Sequence, residues 1–311
     1  MRWWIGLGVV AGCSFSPGAA TSSSDGGTDA PPDGPGSGSA IADRDHDGVP
    51  DDIDNCPDVP NPDQANEDKD ARGDACDLCP MIKDDLNVDD DGDNIGNDCD
   101  PQPSIKDTLI GFTGFENPAQ LSEFEARDGS VIGDWSISNG QLHLIGNTTA
   151  KPYQLVWLNH DVPGDVFVSS DAHVDGIDTG TSVRMIAVAG SYYTPVSGNP
   201  DVFACGMRAD DSGDQVFVAA WHFSDAPGNV SDHATGSFVA MDIDDKPSGH
   251  LTLSARKTSG VAAYNSCSVG NQTYPQYVSG AYPGGGLPGV RMQGVTASFD
   301  YLFVVSLGAA Q

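Results

Sequence analysis

Three copies of one acidic pattern, set 23 residues apart, constrain this chain more than any other feature. They read DRDHDGVPDDID at 43–54, NEDKDARGDACD at 66–77 and DDDGDNIGNDCD at 89–100. Each has an oxygen-bearing side chain at positions 1, 3, 5, 9 and 12. Residues 43–100 hold 21 acidic and 4 basic residues, so more than half of the chain's net charge of −31 falls in a fifth of its length. Carboxylates at that density repel one another unless a multivalent cation neutralises them. A charge run is ordinarily a disordered tract, but in-register repetition with matching cysteines sets this one apart.

The spacing is that of a tight loop wrapping several oxygens around one Ca²⁺, with the position 7 main-chain carbonyl among the ligands. The first loop would use Asp43, Asp45, Asp47, the Val49 carbonyl, Asp51 if position 9 binds directly, and Asp54. The second would use Asn66, Asp68, Asp70, the Arg72 carbonyl, Asp74 and Asp77. The third would use Asp89, Asp91, Asp93, the Ile95 carbonyl, Asn97 and Asp100. Hard carboxylates in a flexible cage suit Ca²⁺, whereas Mg²⁺ demands near-octahedral geometry and zinc prefers Cys or His. No apolar helical period flanks the loops, which argues against a helix–loop–helix hand.

The cysteines follow the same register: Cys56 and Cys76 are 20 apart, as are Cys79 and Cys99. Setting Cys13 aside leaves six, an even number that suits three disulfides in an exported chain. Cys76-x-x-Cys79 alone also fits a redox or zinc pair. The phrases DNCP (54–57), NPDQ (61–64), DACD (74–77) and DCDP (98–101) closely resemble thrombospondin type 3 repeats, over residues 43–101. The resemblance implies a calcium-packed coil with almost no hydrophobic core and the pairings Cys56–Cys76 and Cys79–Cys99. The second loop departs from that family, with Ala71 where it prefers Gly at position 6 and Asn66 at position 1. An Ala forced to positive φ costs on the order of 1 kcal/mol, so this loop is expected to bind weakest, with Gly73 absorbing part of the turn.

The N-terminus reads as an address. Met1-Arg2, an apolar run and Val10-Ala11-Gly12-Cys13 fit a secretory signal. The last four residues resemble a bacterial lipobox, which implies removal of 1–12 and a diacylglycerol on Cys13; Ser14 then implies the outer membrane or cell surface. An ordinary signal peptide cut elsewhere and a short buried helix are the alternatives. Residues 13–42 are a Ser/Gly/Pro linker with little to bury.

From 104 to 311 the chain changes to strand-length runs rich in Val, Phe and Thr. Val166, Val168, Ser170, Ala172 and Val174 line one face, with Phe167, Ser169, Asp171 and His173 on the other. Ala297, Phe299, Tyr301, Phe303 and Val305 form another period-2 stripe. About a dozen such strands, no convincing helix and turns such as Ser138-Asn139-Gly140 predict an antiparallel two-sheet sandwich. Cys205 and Cys267 fall in predicted strands, as a disulfide or as two buried thiols. The opening GFTGFE (111–116) and the closing PGVRMQGVTASFDYLFVV (288–305) resemble concanavalin-like, laminin-G-like jelly rolls. That resemblance implies carbohydrate or protein-surface binding more often than catalysis. The expected whole is mostly β: a repeat segment over 43–103, then the sandwich over 104–311.

Low basicity excludes a nucleic-acid footprint and polybasic lipid adsorption, so the membrane is expected only through a lipid anchor. No Glu-x-Asp-x-x-Glu strand, Gly-x-Ser-x-Gly elbow or His-Glu-x-x-His helix appears, and Glu123 and Glu125 read as a solvated turn, so an enzyme is not expected. A polysaccharide or a cell-surface protein is the expected partner. Tyr192 and Tyr193 in SYYTPVSGNP, and Tyr274, Tyr277 and Tyr282 in NQTYPQYVSGAYPGGGLPG, are the candidate stacking residues, read as loop tyrosines. Trp135, Trp157 and Trp221 read as core.

Overall fold

The computed structural model describes residues 42–309 except 85, 128–129, 146–152, 179, 181–182, 194–200, 211–212, 225–229, 232–237, 240–247, 258–261, 271 and 280–284. Cys13, its leader, the linker up to residue 41 and Tyr282 lie outside the described residues.

The strands are β1 (Thr108–Thr113), β2 (Phe124–Arg127), β3 (Trp135–Ser138), β4 (Gln141–Leu144), β5 (Tyr153–Trp157) and β6 (Val166–Ile177). Next come β7 (Val183–Tyr193), β8 (Asp201–Asp210), β9 (Gly213–Ser224), β10 (Val230–Ser231), β11 (Phe238–Val239) and β12 (Ser248–Lys257). The last are β13 (Ala262–Val269), β14 (Gln272–Ser279), β15 (Leu287–Gln293), β16 (Val295–Phe299) and β17 (Leu302–Ser306). They form two antiparallel sheets. One runs β14-β13-β12-β6-β16-β4-β3, with β17 also beside β6 and β1 beside β17; the other runs β10-β9-β8-β7-β15-β5-β2, with β11 on β9. The first and last strands are therefore neighbours.

Local sequence explains the parts. Asn139 and Gly140 both take positive φ, 55° and 71°, as a tight two-residue turn between β3 and β4 demands. Along β6 the small and apolar residues alternate inward as the period-2 reading expects; Val166, Val168, Ala172 and Val174 join the core between the sheets. Trp135, Trp157, Leu142, Ile186, Leu253 and Phe299 fill the same core. Cys205 on β8 and Cys267 on β13 are joined across it, one from each sheet. Of Trp221 only its place in β9 is described.

The closing stripe is not one strand. Phe299 pairs with Ala172 and Phe303 with Ser169, so four residues of the closing segment span three of β6. The extra residue is a β-bulge at Asp300–Tyr301, where the Asp300 amide donates to the Asp171 carbonyl and Ser170 Oγ donates to the Tyr301 carbonyl. One added residue reverses the side-chain phase. Ala297 and Phe299 face the core between the sheets, as Leu302 and Val304 do, while Tyr301, Phe303 and Val305 face outward.

That outward stripe is where the repeat segment docks. Cys79, Ile95 and Cys99 pack with Tyr301, Phe303, Val305 and Leu307, flanked by Met81, Ile82, Phe112 and Phe167. Residues 42–311 accordingly form one compact unit. The coil has little core of its own, and the sandwich lends it one.

Candidate functional site

All three acidic loops close by the same hydrogen bonds. The position 9 side chain accepts from the position 2 amide: Asp51 from Arg44 at 2.9 Å, Asp74 from Glu67 at 2.9 Å and Asn97 from Asp90 at 3.0 Å. Position 9 thus holds the loop shut, and Asp51 adds an ion pair with the Arg44 guanidinium. One oxygen of position 12 accepts from the amide two residues on: Asp54 from Cys56, Asp77 from Cys79 and Asp100 from Gln102. Position 5 accepts from position 7, at Asp47, Asp70 and Asp93.

The other oxygens are left over. Asp45 Oδ2, Asp54 Oδ2, Asn66 Oδ1, Asp68 Oδ2, Asp70 Oδ2, Asp77 Oδ2, both Asp91 oxygens and Asp100 Oδ2 are buried without a hydrogen-bond partner among the described residues. Asp43, Asp45 and Asp47 bring ligand atoms within 4.8 Å of one another, as do Asp68, Asp70 and Asp77, and Asp89, Asp91 and Asp93. Buried polar atoms are otherwise partnered as a rule, and a buried carboxylate needs a counter-charge. The donor set is all oxygen and fits a hard divalent cation. Burial, with repulsion from neighbouring aspartates, pushes Asp77 and Asp100 up to about 6 in the metal-free chain and raises Asp68 and Asp91. Asp89 moves the other way, because the Asn94 amide and those of Gly92 and Asp93 donate to it.

Disulfides Cys56–Cys76 and Cys79–Cys99 staple successive units. The second loop turns without strain at Ala71, contrary to the expectation from sequence: Lys69 takes the left-handed conformation there, at φ 60°. The first and third loops use two such residues, His46 with Gly48 and Gly92 with Asn94. Gly73 does not supply a positive φ either. A Cβ on it would sit 2.3 Å from Asn55 Oδ1, and one on Gly96, 23 residues later, 2.6 Å from Cys79 Sγ. These glycines are there for close packing between units.

A cleft of about 710 Å³ opens between the second loop and the sandwich. Glu67, Asp68 and Lys69 line one wall with Met81 and Lys83; Glu116, the β3–β4 turn, Asp171, His173, Asp300 and Tyr301 line the other. Sequence reasoning left these histidines scattered. Register brings them together, since His250 pairs with Asp171 across β12 and β6. His250 Nδ1 lies 2.7 Å from Asp171 and 3.0 Å from the Tyr301 hydroxyl. His173 lies 2.7 Å from Asp300 and 2.8 Å from Ser248 Oγ, and Gln141 Nε2 donates to Asp300 at 2.6 Å. Burial pushes Glu67 up to about 8, helped by Asp300 and Glu116. The only sequence signal for this group was the outward-facing Asp171–His173 alternation on β6; its partners are fixed by pairing.

The candidate tyrosines are not gathered in loops. Tyr192 and Tyr193 end β7 in one sheet, and Tyr274 and Tyr277 lie in β14, the edge of the other. Tyr192 packs on Ala187, Ala189 and Val202, with the Arg127 guanidinium 5.5 Å from its ring centre. β-strand formation through both segments overrides the Gly/Pro signals nearby. Glu123 accepts from the Trp157 indole and Glu125 pairs with Arg127.

No protein family matches the sequence, and no curated protein does. Solved structures do match. The metal-free carbohydrate recognition domain of Emp46p is 11% identical, covering 65% of this chain and 97% of that one, with a TM-score of 0.42. A legume lectin-like domain from Entamoeba histolytica is 8% identical, over 64% and 98%, at 0.41. The alginate lyase Aly36B is 10% identical, over 64% and 93%, at 0.37. Binding domains and a glycan-active enzyme thus appear side by side, and at these scores no assignment follows from either.

Proposed function

We propose that this chain is an exported surface protein, lipid-anchored through Cys13, whose thrombospondin type 3-like loops bind Ca²⁺ and hold a glycan-binding β-sandwich away from the membrane. The observation that carries the reading is the shared cleft: Glu67, Asp68 and Lys69 come from a metal loop, and Asp171, His173 and Asp300 from the sandwich. A cation that orders the loop also completes the cleft, so ligand binding is calcium-dependent. Its lining has five carboxylates against two lysines, which disfavours polyanions and offers hydrogen-bond acceptors to the hydroxyls of a neutral glycan.

The test is retention of the purified protein on neutral and uronate-containing polysaccharides, with calcium and with chelator, with released sugar assayed in the same tubes. Calcium-dependent retention on neutral glycans without release is the expected result. No retention under any condition would sink the glycan reading and leave a cell-surface protein as partner. Sugar release would make the cleft a hydrolase or lyase site, with Glu67 and Glu116 its candidate acid and base. Intact mass of the membrane-extracted protein checks the anchor: a lipidated Cys13 at the N-terminus is expected, and unmodified soluble protein would refute it.

A further inference from the structure

The register of the loops runs on past their ends. Asn61, Asp84 and Asp107 also stand 23 residues apart, each 18 beyond the first position of its loop. Asn61 and Asp107 dock alike: each donates its amide to Oδ2 of the position 5 aspartate, Asp47 at 2.8 Å and Asp93 at 2.6 Å. In the first loop the side chain so delivered is neutral, and the Asn61 carbonyl oxygen accepts from Gln64 Nε2.

Asp107 brings a charge to the same place and is only 6% exposed. Its Oδ1 accepts from Gln102 Nε2 and from the Gly308 amide, both at 2.6 Å. Its Oδ2 is buried with no hydrogen-bond partner among the described residues. Asp100, 8% exposed, also buries a partnerless Oδ2, and its acidic neighbours are Asp93, Asp107 and Asp91. The nearby Lys106 ammonium is turned to the Gly92 carbonyl at 2.6 Å, and Arg256 exerts only a weaker attraction on Asp107. An ionised oxygen buried beside other carboxylates is tolerated when it is paired or coordinates a metal.

We propose that Asp107 Oδ2 is a ligand of the cation in the third loop, so that the repeat and the residue that opens the sandwich hold this ion jointly. The 12-residue loop is then an incomplete site until the sandwich folds against it. Through Oδ1 the same carboxylate ties the ion to Gly308, just beyond β17. Metal loading therefore reaches the last strand of the sandwich.

The proposal rests on the metal-binding reading, and calcium titration by calorimetry of the full chain and of D107N separates the two. Asn at 107 keeps an acceptor for the Gly308 amide. Outer-shell changes at metal sites cost about 10–100-fold in affinity, and loss of a direct ligand should weaken one ion by at least that much while the others are unaffected. Calcium should also slow hydrogen exchange at the Gly308 amide in the wild type and not in D107N. Wild-type calcium uptake with an identical D107N titration would overturn this ligand alone; no uptake by the wild type would overturn the metal reading itself. Should D107N not fold, a crystal structure of the calcium-loaded wild type decides the matter. Asp107 Oδ2 within about 2.3–2.6 Å of an ion upholds the proposal, and Oδ2 bonded to protein or water alone refutes it.

Discussion

The repeat segment and the sandwich are held together by opposite means. The sandwich buries Trp135, Trp157, Leu142, Phe299 and their neighbours between two sheets and satisfies its backbone through strand pairing. The repeat segment buries partnerless carboxylate oxygens, and its apolar residues find cover only against the sandwich. One region is stable by removing apolar surface from water; the other waits for a counter-charge. The difference teaches that calcium should control the first region directly and the second only at its outer face.

Chelation should separate the two most sharply. Without metal, hydrogen exchange should accelerate through 43–107 while the strands around Leu253 and Val168 keep their protection. A dye that binds apolar surface should report the uncovered Phe303 and Val305. Equal loss of protection in both regions would mean the sandwich cannot stand without the repeats.

The docking stripe is the next place to break the comparison. Ile95 and Phe303 are each 1% exposed and meet across it. Ile95→Ala should cost about 2–5 kcal/mol and Phe303→Ala about 3–5 kcal/mol. The loss should fall on the docked repeat, so calcium should bind more weakly while the far sheet's exchange is unchanged. Thermal melts with and without calcium would check this.

Acidity should have opposite effects with and without metal. Asp77 and Asp100 titrate near 6 in the folded metal-free chain, above the 3.8 of an exposed aspartate, because burial penalises their charge. A raised carboxylate holds its proton longer when folded, so stability is highest in acid and falls as pH rises from about 4 to about 6. The metal-free repeat should therefore melt higher at pH 4 than at pH 7. With calcium the order should reverse, because the ion requires ionised ligands.

The smallest effect sharpens the contrast among the loops. Ala71 is unstrained, so the expected weakness of the second loop rests on Asn66 alone. Asn66→Asp adds one ligand charge and should tighten that loop severalfold, read as a shift in one step of the calcium titration.

Much of this was legible in residue order. Periodic carboxylates and cysteines mark the loops because one tight turn must carry all the oxygens of one site, and alternation along β6 marks a strand with two different faces. The closing stripe misled, because Ala297 to Val305 alternates without interruption while a bulge at Asp300–Tyr301 reverses its phase. No local pattern announces a bulge whose cause is pairing with β6. The tyrosines misled in the other direction, since Tyr274 and Tyr277 sit among Gly and Pro yet pair as an edge strand.

The sequence by itself determined the local chemistry: which oxygens share a loop, which cysteines stand in register, and that the remainder is β. Those properties depend on spacings of a few residues. Only the tertiary structure decided that Tyr301 and Phe303 cover Ile95, that His173 and His250 join Asp171 and Asp300 beside Glu67, and that Asp107 reaches the third loop. Each of these joins residues far apart in the chain, and their meeting depends on strand register and on which face of a sheet is left for the repeats to cover.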